Sequence, residues 1–151
     1  MIGERKEIRA VTRLTLTLLL LALPALAEKK FLNPPEVSRP NAPFSSGVLV
    51  DGTLYVAGQV GADLKTGQVP EDFKAQVRNT LDRIGIILKA GGMDFPDAVN
   101  VIVYLTDISL FPQMNEVYTT YFKTNRPARA TVQVSALVGA AKIEISVTAR
   151  K

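Results

Sequence analysis

Apolar and polar residues alternate most cleanly near the end of the chain. Ile143, Ile145 and Val147 take one face of an extended segment, and Lys142, Glu144, Ser146 and Thr148 take the other. Thr131-Val132-Gln133-Val134-Ser135 alternates in the same way. Residues 98–105, AVNVIVYL, are apolar or β-branched at nearly every position, which predicts a central strand covered on both faces. Two more β-prone runs, 46–50 and 53–57, flank Asp51-Gly52. A type I′ turn needs positive φ at both central positions, so Asp-Gly there predicts a hairpin.

Elsewhere the period lengthens to that of a helix. Phe73, Val77, Leu81, Ile84 and Leu88 recur at spacings of 4, 4, 3 and 4. Asp72 is placed to cap the start, and Gly91-Gly92 to stop the end. Gly85 inside this helix costs about 1 kcal/mol relative to Ala, which points to a close packing contact. Phe111, Met114, Tyr118 and Phe122 step at 3, 4 and 4 and define a second helix, ended by Asn125-Arg126-Pro127. Residues 61–70 read as a loop. Pro34, Pro35, Pro40 and Pro43 make residues 28–43 an extended lead-in. The resulting order, ββαβαββ, is α+β: two helices cover one face of a mixed sheet. The other face, with Tyr55, Gln133 and Glu144 as candidates to line it, is either wet or a subunit interface.

The first 27 residues stand apart. Residues 1–13 are polar and net positive, residues 14–23 are an apolar run of ten, and Pro24 precedes Ala25-Leu26-Ala27. This order is that of a secretory leader, with cleavage expected after Ala27 and export to a periplasm-like compartment. The run falls short of the roughly 20 residues of a membrane span. A retained anchor is the alternative, and the lack of Cys excludes a lipoprotein. Residues 44–151 then form one domain, with no membrane contact expected after cleavage.

Composition narrows the chemistry. The chain has no His, no Cys and no Trp. Disulfides, imidazole acid/base catalysis and thiolate or imidazole metal sites are therefore excluded. The net charge of +4 falls to +2 without residues 1–27, which carry four basic and two acidic side chains. Together with the absence of any basic run, this argues against a nucleic-acid partner. No nucleotide, esterase or metalloprotease motif is present. What remains is Arg129, at the start of the fifth strand, and Glu144, in the sixth. If these strands pair antiparallel, the two side chains meet on one face. The guanidinium then offers a fork for a substrate carboxylate, and the acid can position or deprotonate water. On residue types alone, the favoured reading is a surface ion pair worth well under 1 kcal/mol.

A family resemblance adds to this. Ala42-Pro43-Phe44-Ser45, the 54–60 segment LYVAGQV, Gln76-Val77-Arg78-Asn79-Thr80-Leu81 and Ala90-Gly91-Gly92 come in order. Val103-Tyr104-Leu105-Thr106-Asp107, Asn115-Glu116-Val117-Tyr118, the 126–134 segment RPARATVQV and Ile143-Glu144-Ile145 follow. From about residue 41 to 150 the chain resembles the RidA family, also called YjgF/YER057c or L-PSP. The resemblance implies a chorismate-mutase-like (bacillar) ββαβαββ fold, a homotrimer and ligand clefts between subunits. It implies hydrolysis of enamines and imines such as 2-aminoacrylate to keto acids and ammonia, a 2-iminobutanoate/2-iminopropanoate deaminase-like activity without cofactor or metal. By position, Arg129 matches the arginine that grips the substrate carboxylate, and Glu144 the acid that orients water. Gly58, Thr131 and Asn115 match pocket positions, Thr131 acting through its backbone. Phe44 stands where deaminase members usually carry Tyr, and Ala57 where they often carry Ser. A non-catalytic trimer that binds small carboxylates is the competing expectation. Endoribonuclease activity, a label the family also carries, ranks last because His is absent and the charge is low.

Overall fold

A computed structural model describes residues 28–151; the expected leader, residues 1–27, lies outside the described residues. Among the described residues six strands form one sheet, ordered β1 (Lys30–Leu32), β2 (Gly47–Val50), β3 (Thr53–Val60), β6 (Ile143–Arg150), β4 (Ala98–Leu105) and β5 (Ala128–Gln133). Only β4 and β5 run parallel; every other neighbouring pair is antiparallel. The helices α1 (Phe73–Ala90) and α2 (Phe111–Tyr121) pack on one face of this mixed sheet.

Local chemistry explains the elements the sequence announces. The β2–β3 turn holds Asp51 and Gly52 at φ of 50° and 69°, as an Asp-Gly hairpin requires. The Asp72 side chain accepts from the Ala75 N–H at 2.9 Å and caps α1. The Gly91 N–H closes the other end on Ile87 and Leu88 carbonyls. A Cβ at Gly85 would sit 3.2 Å from the Phe95 ring, the close contact its place in the helix implied.

The core is one-sided. Leu54 and Val56 of β3, Val101, Val103 and Leu105 of β4, and Ile143, Ile145, Val147 and Ala149 of β6 all face the helices. They meet Val77, Leu81, Ile84 and Leu88 of α1 and Met114 and Tyr118 of α2. The central strand β4 is therefore covered on one face, not two. Its apolar run is explained differently: Val99 is exposed, and Ile102 and Tyr104 lie half-buried on the side away from the helices.

Three further expectations are corrected. The lead-in contributes a strand, β1, whose short KFL run ends where Asn33-Pro34 removes the next donor. The fifth strand starts three residues earlier than alternation suggested, at Ala128, because pairing with β4 sets its limits. Gln133 belongs to the helix side: it pairs with the buried Leu105, and its Oε1 accepts from the Ile108 N–H.

Candidate functional site

The last strand slots between β3 and β4, and this decides the geometry of the candidate residues. Arg129 and Glu144 do not stand on neighbouring strands, because β4 separates them. Arg129 pairs with the buried Val101, whereas Glu144 pairs with Tyr104 on the open face. Paired residues share a face, so the two side chains lie on opposite sides of the sheet. Within one chain they form no site together. The antiparallel β5–β6 pairing expected from their short connection is replaced by a sandwich of β6 between two parallel strands.

Each residue instead belongs to a group of its own. The first lies at the β5 edge beneath α2. Arg129 has its guanidinium carbon 4.5 Å from the Tyr118 ring centroid and 5.4 Å from that of Phe111. Its Nη1 also reaches the Met114 sulfur at 3.9 Å. Among the described residues it has no carboxylate partner. Aromatic faces hold a guanidinium without neutralising it, so its fork stays available to an incoming anion. Asn115, Arg126 and Pro127 join it around a cleft of about 520 Å³. Thr131 shares the strand face of Arg129, and its buried hydroxyl has no partner among the described residues. Tyr118 carries the same signature. Its hydroxyl is buried and unpartnered, and burial raises its pKa, the Arg129 charge opposing in part.

The second group lies at the far end of β3. A cleft of about 490 Å³ opens there between the 37–46 arm and the strand, lined in part by Phe44, Gly58 and Glu144. Beyond Val56 the register with β6 shifts, which turns Gly58 toward Glu144. A Cβ on Gly58 would overlap Glu144 Oε1, so only glycine leaves the carboxylate where it stands. Phe44 is 61% exposed at the mouth. Ala57 donates its N–H to the Ser46 carbonyl and fixes the arm against the strand.

Sequence reasoning missed Arg83 and Arg39, both of which line this second cleft. Arg83 sits on the polar flank of α1, where periodicity reads it as solvated.

An α+β domain with an acid-bearing cleft at one end of its sheet and an arginine-bearing cleft at the other edge narrows the class. Residues 36–151 match the model of the Endoribonuclease L-PSP family, and the chain belongs to this RidA/YjgF/L-PSP family. It is 47% identical over 107 residues to the 2-iminobutanoate/2-iminopropanoate deaminase of Rattus norvegicus, covering 70% of this chain and 78% of that protein. The Homo sapiens deaminase of the same name is 45% identical over 108 residues, 71% of this chain and 79% of that one. The crystal structure of the E. coli YjgF gene product superposes with a TM-score of 0.76 at 32% identity, covering 81% of this chain and 98% of that chain. E. coli TdcF, solved with bound serine, gives 0.76 at 29% identity and the same coverage.

Proposed function

We propose that this chain hydrolyses reactive imines and enamines of 2-aminoacrylate type to keto acids and ammonia, in clefts completed between subunits of a homotrimer. One observation carries the reading: Arg129 is a cation held on an aromatic floor, with no acid among the described residues to neutralise it, at the rim of an open cleft. That is a preformed receptor for a small carboxylate. The relatives named as imine deaminases support it at 45–47% identity, and so does serine, a small amino acid, bound in TdcF.

Because Arg129 and Glu144 lie on opposite faces, a single substrate meets both only if the Arg129 cleft of one subunit docks beside the Glu144 cleft of the next. The open sheet face suits such docking. Across it run the rows Tyr55–Thr148–Asn100–Ala128 and Glu144–Tyr104–Val132, with Tyr55 and Val132 exposed. Arg129 holds the carboxylate, and Glu144 orients a water against the imine carbon. The water oxygen bonds to that carbon, the C–N bond breaks, and the water protons pass by way of Glu144 to the departing ammonia. Holding both reactants lowers the barrier by several kcal/mol, on the scale of intramolecular reactions.

Phe44 favours a second reading, a trimer that binds small carboxylates without turning them over, since it brings no hydroxyl to the cleft mouth. An amino-acid oxidase that generates imines in situ separates the two by the rate of keto-acid release. Acceleration by the wild type, lost in Arg129→Ala while the trimer persists, supports hydrolysis. Undiminished turnover by that variant rejects it.

Export belongs to the same proposal. It rests on the polar–apolar–small order of residues 1–27 and on a family match that begins only at residue 36. Mass spectrometry of the exported protein is expected to find Glu28 first; Met1 at its head defeats the cleavage.

A further inference from the structure

We infer that the cleft behind Phe44 carries a subsite for a second acidic group, which makes imines with a carboxylate in the side chain the favoured substrates. This rests on the deaminase reading of Arg129 and Glu144. Among the described residues three charged side chains line the cleft: Glu144, Arg83 and Arg39. On that reading Glu144 serves the attacking water, so the two guanidiniums are the groups left to explain.

Arg83 reaches the cleft from α1. Its Nε donates to Gln59 Oε1 at 3.2 Å and its Nη2 to the Val37 carbonyl at 2.8 Å. Both acceptors are neutral, and among the described residues Nη1 has no hydrogen-bond partner. Gln59 is itself held, donating from Nε2 to the Ala57 and Gly58 carbonyls at 3.2 Å. The guanidinium is thus oriented but not neutralised. Arg39 stands near enough to be felt: burial first, then the Arg39 charge, lowers the pKa of Arg83. An arginine remains charged regardless. Among the described residues the ion pairs are Lys74–Glu116, Arg78–Asp72 and Lys151–Asp97, and neither cleft arginine takes part.

Two like charges facing a cleft, one of them half-buried, raise the energy of the empty site. A carboxylate between them relieves both the repulsion and the desolvation. The volume of about 490 Å³ lies within the range of small-molecule sites. A substrate held by its α-carboxylate on Arg129 of the partner subunit, with its imine carbon at Glu144, directs its side chain into this cleft. An acidic side chain then finds the arginines.

Calorimetry on the assembled protein compares succinate with butyrate, of equal carbon number. Oxidase-coupled kinetics compare the imine of aspartate with that of alanine. Charge-assisted hydrogen bonds of this type predict a preference of about tenfold or more for the diacid in both assays. Arg39→Gln, on the exposed arm, and Arg83→Gln are each expected to bring the ratio toward unity. A role of Arg83 as a mere clamp for the arm would leave that ratio where it was. Equal affinity and equal kcat/KM for the two partners in the wild type overturn the subsite and spare the hydrolase. No turnover of either imine, with succinate still preferred, overturns the hydrolase and spares the subsite.

Discussion

At the level of single residues, the most informative position has no side chain. Gly58 is required not by its φ but by what occupies the space beside it. The Glu144 carboxylate fills the place a Cβ would take. Gly58→Ala leaves the backbone unstrained, and the displaced group is the far end of a flexible side chain, so the fold is expected to persist. Glu144 must swing away, and a displacement on the order of 1 Å costs about 10²-fold in rate. A fall of that size in kcat/KM, with an unchanged thermal midpoint, is the expected result. Full activity would mean that Glu144 does not act from the position described. Arg129 makes the opposite point. Its residue type and place on the chain were legible in the sequence, but its aromatic floor was not. Phe111, Met114 and Tyr118 read as core periodicity, and nothing in their spacing says that a cation from a distant strand will lie across them.

Elements whose causes are local were legible to within a residue or two. Helix α1 begins at Phe73 because Asp72 caps it and ends at Ala90 because Gly91 closes it, both written in adjacent residues. The cap can be weighed. Asp72→Ala removes the acceptor for the Ala75 N–H and is expected to cost about 1 kcal/mol. Urea titration would show this as a lower midpoint at constant slope. Asp72→Asn keeps an acceptor and should retain most of that stability. The ion pair of Asp72 with Arg78, at 3.4 Å and exposed, contributes little to the difference. A loss as large in Asn as in Ala would assign the effect to charge. Strand order is a different matter. Ile143, Ile145 and Val147 announce an alternating strand with one buried face, but any interior slot of the sheet satisfies that pattern. The gap that receives β6 exists because β3 and β4 run parallel, joined through α1, without touching. That is a property of the chain's path and not of any short segment. A β6 paired directly with β5 would set Arg129 and Glu144 on the same face, whereas the register of β4 puts them on opposite ones.

For the whole molecule, that separation becomes a statement about assembly. On the proposed assembly, a subunit that carries an acid cleft at one end of its sheet and an arginine cleft at the other edge is half of two sites. In the closed ring proposed, each neighbour contact is heterologous, with the arginine side of one chain meeting the acid side of the next. Mixing two inactive variants tests this. Arg129→Ala keeps its acid half and Glu144→Gln keeps its arginine half, so neither homotrimer holds an intact site. In a mixed ring of three, one contact in three joins the two sound halves, whichever variant is in excess. With random exchange at equal amounts, about a quarter of wild-type sites reappear. Recovery should follow subunit exchange in time, require mild dissociation, and vanish if the variants are kept apart. If both residues served a site within a single chain, no mixture would regain activity, however complete the exchange measured by mass spectrometry. Complementation therefore separates a cleft shared between subunits from one contained within each, and it does so without knowledge of the natural substrate.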